Sequence, residues 1–401
     1  MQTIVMLMGT SGGGKSGIAG AIASGAAHLF DTSLPPEIFT SRVVNSLGKA
    51  SGEIVRANRN KQSVLPAVKE AIGKADFLLM EAWHASRAIL DECGKNYRLI
   101  HVHLFAPPWL LERRLYLRYH RRNMLEKYER VRTELYRGTD MVAYAYGENC
   151  LPGIPPILVD TRDWPIREID ADEAREIVKV VEPSEPVLGD IASQYQKSLH
   201  INGQWYGATS GPRFEFERKR LDALLPTDMT DMTMLDIGAS EGGFCFEALN
   251  RGALYCQAVE IRPDWVALIR RLRDAAQAPI GTVLLDIAKQ ELPALQIVED
   301  PVRYDLATVL NVLHHIRPAA QMEAVLNKIL AACNSIVIEG PFCEGLEPVP
   351  AGAGKYPSAM CIPDVWLGAV GGEHGFRIDS IEASTMDAPN RRVWKLSRRA
   401  S

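Results

Sequence analysis

Two glycine-rich turns constrain the fold of this chain more than any other feature. The first, residues 9–16, follows the apolar run 3–8, and the second, residues 238–243, follows the apolar run 234–237. A buried strand that ends in a glycine-rich turn and continues as a helix is typical of parallel α/β sheets. One turn opens the chain and the other lies past its middle, so the sequence predicts two sheets.

The rest of the chain fits the same α/β pattern. Apolar runs at 77–80, 98–105 and 157–159 alternate with helical patterns, and the alternation restarts through 234–237, 255–261, 282–285, 306–310 and 335–338. A chain of 401 residues also exceeds the size of about 250 residues at which single cores usually split. Pro183 and Pro186 interrupt the pattern between the halves. We therefore predict one domain over 1–182, a linker over 183–199 and a second domain over 200–401.

Composition excludes several classes of protein. Lys and Arg number 45 against 49 Asp and Glu, so the net charge of −4 gives no general attraction to nucleic acid. The seven cysteines contain no C-x-x-C pair that would indicate a zinc site. No apolar stretch is long enough for a membrane span, and the amino terminus lacks a basic leader. The sequence predicts a cytoplasmic protein and leaves a peripheral association with a membrane-bound assembly open.

The first turn matches the pattern G-x-x-x-x-G-K-[ST], which binds the phosphates of a nucleotide. Its backbone N–H groups and the following helix N-terminus attract phosphate oxygens. Lys15 is expected to contact the β- and γ-phosphates, and the Ser16 hydroxyl to ligate Mg²⁺. The pattern therefore predicts ATP and Mg²⁺ as cofactors, held by Gly9, Gly12, Gly13, Gly14, Lys15 and Ser16.

The sequence around this motif favours a kinase. Residues 60–63 read N-K-Q-S and lack the aspartate of a guanine-reading N-K-x-D, which argues against a GTPase. After the apolar run 98–105, an arginine-rich segment resembles the lid of nucleoside, nucleotide and small-molecule kinases, and this resemblance covers residues 1–182. Arg118 and Arg122, one helical turn apart, are predicted to share a helix face and to stabilise the transferring phosphoryl group. A solvated basic surface is the alternative.

Two carboxylates are candidates for work on the phosphate acceptor. Asp31 is predicted to be the base that activates an attacking hydroxyl, and Glu81, which closes the apolar run 77–80, to be a magnesium or substrate ligand. Either residue has a structural alternative as a cap. Three arginines, Arg42, Arg56 and Arg59, are predicted to lie on a helical segment, where an anionic acceptor would explain them as well as surface solvation does.

The second turn resembles the first motif of class I methyltransferases, D-x-G-x-G-x-G. Asp236, Gly238 and Gly242 match it, and Ser240 replaces the middle glycine. A glycine turn alone also fits a dinucleotide fold. Later residues favour the methyltransferase, and the resemblance implies S-adenosylmethionine: Glu260 for the ribose hydroxyls, Asp286 and Ile287 for the adenine, and Asn311 at the end of the fourth strand.

Two histidines follow this fourth strand. Residues 310–316, L-N-V-L-H-H-I, resemble a form seen in small-molecule and carbohydrate-related methyltransferases. His314 and His315 are each a candidate base, or a donor to a phosphate, where substrate meets cofactor. A core histidine is the alternative for each.

The two predicted activities together suggest successive modification of one acceptor. The methyltransferase half is similar to that of bifunctional enzymes that cap bacterial O-antigen chains with a methyl phosphate, although their kinase half is protein-kinase-like and follows the methyltransferase. We therefore predict phosphorylation of a hydroxyl on a small-molecule or glycan acceptor, then methylation, with a glycan-assembly complex as a candidate partner. An RNA or nucleoside kinase-methyltransferase and a methyltransferase regulated by ATP are the alternatives. The slightly acidic charge makes nucleic acid the weaker of the acceptors.

Overall fold

The chain divides into two compact units. The computed structural model describes residues 3–9, 52–56, 77–81, 98–129, 156–164, 166–179, 198–207, 209–290, 292, 303–350, 360–385 and 390–399. One unit comprises Met1–Glu182 with Gln296–Asp300, and the other comprises Pro183–Leu295 with Pro301–Ser401. In these stretches of the chain, no helix is both long and apolar enough to cross a membrane.

The first unit is built on a mainly parallel sheet. Its described elements are β1 (Thr3–Gly9), β2 (Gly52–Arg56), β3 (Phe77–Glu81), β4 (Arg98–Phe105), α1 (Pro108–His120), β5 (Ile157–Asp160), β6 (Asp163–Trp164), β7 (Arg167–Ile169) and α2 (Ala171–Val178). The sheet order is β2-β3-β1-β4-β5-β7, with β7 alone antiparallel among these strands. In this order, β2 and β3 lie on one side of β1, whereas β4 and β5 lie on the other. The end of β1 is therefore a topological switch point, where ligands bind in open α/β sheets.

Local sequence accounts for the helices of this unit. α1 begins with Pro108, whose missing N–H is not needed in a first turn, and its buried leucines Leu110, Leu111 and Leu115 face the core. In α2, the Asp170 side chain caps the helix by accepting a hydrogen bond from the Glu173 N–H at 2.8 Å. Arg56 ends strand β2, so its predicted helical position is wrong, whereas Arg42 and Arg59 lie outside the described residues.

The second unit is a mixed α/β fold with a Rossmann-like sheet. Its described elements are β8 (Ser198–Ile201), β9 (Gln204–Gly207), α3 (Pro212–Leu224), β10 (Thr233–Ile237), α4 (Gly243–Asn250), β11 (Tyr255–Glu260), α5 (Pro263–Ala276), β12 (Ile280–Leu284), β13 (Tyr304–Leu310), a 3₁₀ turn (Leu313–His315), α6 (Ala319–Ala332), β14 (Cys333–Pro341), β15 (Val349–Pro350), β16 (Met360–Cys361), α7 (Asp364–Glu373), β17 (Phe376–Ala383) and β18 (Arg391–Arg398). Within this unit, the sheet order is β17-β18-β14-β13-β10-β11-β12.

The central strands bring their carboxyl ends to one edge. β12-β11-β10-β13-β14 are parallel and follow the 3-2-1-4-5 order of a doubly wound sheet. β10 is buried at all five residues, as is typical of a central strand in a parallel sheet. Ile237 is in register with both Val259 and Val309, which aligns the ends of three strands. We call this border, where β10, β11, β13 and β14 end, the carboxyl edge.

Candidate functional site

Gly9 closes β1 at the switch point of the first sheet. Its φ is 137°, and a Cβ added there would lie 2.7 Å from the Leu104 carbonyl oxygen, so the neighbouring strand requires glycine at this position. The other predicted phosphate-binding residues, and the predicted base, lie outside the described residues: Gly12, Gly13, Gly14, Lys15, Ser16 and Asp31.

Glu81 ends the strand beside β1. It is in register with Leu7, two residues before Gly9, so its backbone lies near the switch point. This position is compatible with the predicted contact to magnesium or substrate, which remains a prediction.

The two predicted lid arginines lie at the end of α1. Arg118 lies in the last turn of α1, whereas Arg122 lies in the turn that follows, with its N–H donating to the Tyr119 carbonyl oxygen at 3.3 Å. Asn123 adopts a φ of 51°, a left-handed conformation that a continuing helix does not allow. The predicted common face and the predicted role in phosphoryl transfer both remain predictions.

In the second unit, the turn after β10 requires glycine at position 238. Gly238 has a φ of 73°, and a Cβ there would lie 2.3 Å from Val312 Cγ2. The Gly238 N–H donates to the Val259 carbonyl oxygen at 2.8 Å, which fixes the turn against β11. Ser240, which replaces the glycine of the methyltransferase pattern, has a φ of 53°. The serine thus adopts the left-handed conformation that glycine favours.

The Glu260 carboxylate connects this turn to the end of β11. It accepts hydrogen bonds from the backbone N–H groups of Ser240 at 2.8 Å, Ile261 at 2.8 Å and Arg262 at 3.0 Å. A carboxylate has about four acceptor positions, so capacity for a further donor remains. Glu260 is therefore held rigidly beside the glycine turn.

Asp236 is buried behind the same turn. Its carboxylate accepts the Thr308 hydroxyl at 2.7 Å, which joins β10 to β13. Burial raises the pKa of Asp236 to about 6, against the lowering effect of this hydrogen bond. These contacts give Asp236 an internal structural role, and its predicted contact with cofactor remains a prediction.

The residues predicted to hold an adenine follow β12. Asp286 accepts the Ala288 N–H at 3.1 Å and pairs with Lys289 at 2.7 Å, and Ile287 is buried. The Leu285 N–H donates to the Glu260 carbonyl oxygen at 2.9 Å. Asp286 and Ile287 therefore directly follow Leu285, whose backbone is hydrogen-bonded to Glu260.

A buried ionic cluster lies at the end of β14. The Glu339 carboxylate accepts Arg220 Nη2 at 2.6 Å, the Asn311 amide at 3.0 Å and the Ser384 hydroxyl. The Arg220 guanidinium also lies 5.1 Å from the ring centroid of Phe244, in the first turn of α4. Arg220 was not a predicted site residue, since nothing in its local sequence distinguishes it from other helix arginines.

His314 and His315 form the 3₁₀ turn after β13, with ring centroids 3.9 Å apart. Burial lowers the pKa of His314 to about 3, helped by His315 and Arg391. Partial burial lowers the pKa of His315, as do the positive charges of Arg391 and Arg317. Both shifts favour the neutral form of the imidazole, and the low pKa of His314 makes it a weak base.

Three buried polar atoms at the carboxyl edge are without a hydrogen-bond partner among the described residues. These are Arg220 Nε, Ser240 Oγ and His314 Nδ1. Buried polar atoms of folded proteins are usually paired, so each of these has capacity for a bound molecule. The predicted residues Glu260, Asp286, Asn311 and His314 thus come together at one edge, with Arg220 added to them.

No protein-family model and no curated protein sequence matches the chain. Solved structures similar to it include the magnesium protoporphyrin IX methyltransferase from Synechocystis with bound SAM, at 13% identity and a TM-score of 0.36, covering 46% of this chain and 81% of that one. An S-adenosylmethionine-dependent methyltransferase from Mesorhizobium loti is 17% identical, with a TM-score of 0.35, and the match covers 46% of this chain and 98% of that one. The N-methyltransferase NodS from Bradyrhizobium japonicum is 13% identical, with a TM-score of 0.36, and the match covers 46% of this chain and 98% of that one. With TM-scores of this size, none of these likenesses identifies an activity.

Proposed function

We propose that the second unit binds S-adenosylmethionine and transfers its methyl group. The observation that carries this proposal is the Glu260 carboxylate, which three backbone N–H groups hold beside the glycine turn at a switch point. A carboxylate in this position suits the adjacent hydroxyls of a ribose. Asp286 and Ile287 would then hold the adenine.

The charge of the turn favours a cationic cofactor over a dinucleotide. A dinucleotide fold brings a diphosphate to the N-terminus of the helix after the first strand. Here Glu241 is buried immediately before that helix. Burial raises the pKa of Glu217 against the lowering effect of Arg213 and Arg220, and the charges of Glu241 and Glu339 add to the rise. Such a site disfavours a diphosphate and suits a sulfonium and an ammonium group.

The residues present also suit methyl transfer. S-adenosylmethionine, when bound, supplies an electrophilic methyl group for in-line attack. Arg220 Nε is a donor available to the cofactor's carboxylate. His314 is the predicted base for a hydroxyl acceptor, and its pKa of about 3 makes it a weak one near pH 7. An acceptor that presents a phosphate oxygen needs no such base.

Calorimetric titration with S-adenosylhomocysteine tests this proposal. We expect the wild-type chain to bind it, and Glu260→Gln to weaken binding by about tenfold or more, because an amide NH₂ opposes the N–H groups that the carboxylate accepts. Glu382→Gln, on the outer strand β17, is the matched control and should bind as the wild type does. No binding by the wild type, or equal binding by Glu260→Gln, would rule out this assignment.

We further propose that the first unit is an ATP- and magnesium-dependent kinase. The supporting observations are the switch point at the end of β1, the glycine required at position 9, and Glu81 at the end of the neighbouring strand. Lys15 and Ser16 would then contact the phosphates and magnesium, as their motif predicts. In this proposal a small-molecule or glycan hydroxyl is phosphorylated first and the phosphorylated acceptor is methylated.

Mass spectrometry of candidate glycans and nucleosides tests the pair of activities. Incubation with ATP, Mg²⁺ and S-adenosylmethionine should add a phosphate and a methyl group to one acceptor. Lys15→Ala should abolish the phosphate gain, and Glu260→Gln should reduce the methyl gain alone. A Lys15→Ala product that still gains phosphate would refute the kinase assignment.

A further inference from the structure

Two cysteines lie beside a single contact between the end of β14 and the start of the segment that leads to α7. Cys343 follows Phe342, which pairs with Ile362 in an isolated parallel bridge, and the Ile362 N–H donates to the Pro341 carbonyl oxygen at 2.8 Å. Cys361 directly precedes Ile362 and ends strand β16. Both cysteines are therefore immediate neighbours of the same bridge.

The thiols of Cys343 and Cys361 are in contact. A side-chain hydrogen bond joins them, and the Val349 N–H donates to the Cys343 sulfur. Val349 is also the residue opposite Cys361 in the antiparallel pair of β15 and β16. Residues directly opposite in such a pair have Cα atoms about 4.5–5.5 Å apart. The backbone pairing thus independently brings Cys361 next to the residue that Cys343 contacts.

Both thiols reach solvent, which distinguishes this pair from the other cysteines of the second unit that the structure describes. Cys343 and Cys361 are half-buried, whereas Cys245, Cys256 and Cys333 are fully buried. The thiols of Cys245 and Cys256 are also hydrogen-bonded to each other, but both residues are 0% exposed. A dissolved reagent can therefore reach the first pair in the folded chain and not the second.

We propose that Cys343 and Cys361 are a site of thiol–disulfide exchange, at which a low-molecular-weight disulfide such as oxidised glutathione forms an intrachain disulfide. One cysteine thiolate attacks a sulfur of the glutathione disulfide, and one glutathione leaves as its thiolate. The second cysteine thiolate attacks the resulting mixed disulfide, forms the bond between Cys343 and Cys361, and releases the other glutathione. The two cysteines are oxidised, the glutathione disulfide is reduced, and the thiol protons pass to the two released glutathiones.

The local structure allows the bond to form with a small movement. The two sulfurs must approach from hydrogen-bonding distance to the disulfide bond length of about 2.05 Å. Cys343 lies beyond the end of β14 and Cys361 ends a strand of 2 residues, so neither lies inside a long backbone ladder. β16 packs against β14 and against the 3₁₀ turn Leu313–His315. The disulfide would therefore fix β16 at the carboxyl edge.

Glutathione redox buffers test this site in the full, folded chain. Burial raises the pKa of both Cys343 and Cys361, so the exchange is run at about pH 8, where more of the nucleophilic thiolate is present. The chain is equilibrated with oxidised and reduced glutathione, its remaining thiols are alkylated, and its peptides are mapped by mass spectrometry. The map separates this pair from Cys93 and Cys150, which lie outside the described residues.

We expect a peptide pair joined through Cys343 and Cys361, which forms without urea and disappears on treatment with dithiothreitol. In Cys343→Ser or Cys361→Ser, the remaining cysteine cannot resolve its mixed disulfide. The glutathione adduct at that cysteine should therefore be about tenfold or more abundant than in wild type, because the second thiol acts at an effective concentration of millimolar or higher. Cys245 and Cys256 are the matched pair within the same samples and should stay reduced until urea exposes them.

Separate glutathione adducts on Cys343 and Cys361 of the wild type, without the joined peptides, would overturn the proposal. A joined pair that forms only in urea would overturn it as well. If a serine variant does not fold, as judged by its circular dichroism, the map of the wild type carries the test. The experiment uses neither ATP nor a methyl donor, so its failure would leave the proposed function as it stands.

Discussion

Gly238 has a positive φ, and the Val312 side chain leaves no room there for a Cβ. We expect Gly238→Ala to lower the free energy of unfolding by about 1–3 kcal/mol more than Gly203→Ala. Both glycines have positive φ, of 73° and 79°, but only the added Cβ at 238 would meet a neighbour, the stiff side chain of Val312. Urea denaturation of the two variants isolates this steric cost from the cost of positive φ. Equal destabilisation would show that Val312 moves aside.

Asp236 makes stability depend on pH. Its pKa is raised by burial to about 6 in the folded state, from 3.8. The folded chain therefore retains a proton that the unfolded chain loses, and this contribution, present below pH 4, is lost as the pH rises through about 6. A pKa difference of about two is worth about 3 kcal/mol. Asp236→Asn keeps an oxygen for the Thr308 hydroxyl and should gain stability relative to wild type by up to that amount between pH 4 and pH 7.

Urea denaturation at the two pH values measures this difference. Asp379→Asn, on the outer strand β17, is the control and should show no comparable change. A constant difference between Asp236→Asn and wild type across the range would mean that the Asp236 carboxyl titrates near its ordinary pKa.

Some site residues are predictable because they are close in sequence to a glycine turn or a strand end. Gly238 and Glu260 are of this kind, since the motif places them without knowledge of tertiary structure. Arg220 is not, because folding alone brings it to the carboxyl edge. Arg220 bonds to Glu339 across 119 residues of chain. No local pattern encodes such a pair.

Among the elements, strands buried on both faces are the predictable ones. The apolar run 98–105 predicts β4 at both ends, and the runs 234–237 and 306–310 predict β10 and β13 to within two residues. Strand β18 escapes prediction because Arg391, Arg392, Lys395 and Arg398 interrupt its apolar residues. Its half-buried position in an antiparallel pair tolerates this composition.

A buried ion pair between Arg220 and Glu339 joins helix α3 to strand β14. We expect Arg220→Met to cost about 3 kcal/mol of stability, because Glu339 is left charged and buried. The double variant Arg220→Met with Glu339→Gln should cost less than the sum of the two single variants, which a double-mutant cycle by urea denaturation measures. Arg218→Met, an exposed position on the same helix, should change stability by less than about 0.5 kcal/mol. Additive costs would contradict a direct interaction.

At the scale of the whole molecule, each sheet has a glycine that its neighbours require at its own switch point. Gly9 ends β1 in the first sheet and Gly238 follows β10 in the second. A bifunctional enzyme requires only that both sites work on one acceptor, whereas a methyltransferase regulated by ATP requires that the nucleotide change the affinity for the methyl donor. Such coupling is reciprocal and typically amounts to about 5- to 150-fold.

We expect the dissociation constant of S-adenosylhomocysteine to change by less than about twofold when a non-hydrolysable ATP analogue and Mg²⁺ are present at saturation. The reason is that nucleotide and methyl donor are proposed to bind at the edges of different sheets, and coupling needs an element whose two states both ligands bias. Calorimetry measures this coupling by two titrations, one with each ligand. The affinity for the ATP analogue must change by the same factor when S-adenosylhomocysteine is bound. Lys15→Ala, which should not bind the analogue, must abolish any effect that depends on the first site. A change of fivefold or more that disappears in Lys15→Ala would instead identify ATP as a regulator of methyl transfer.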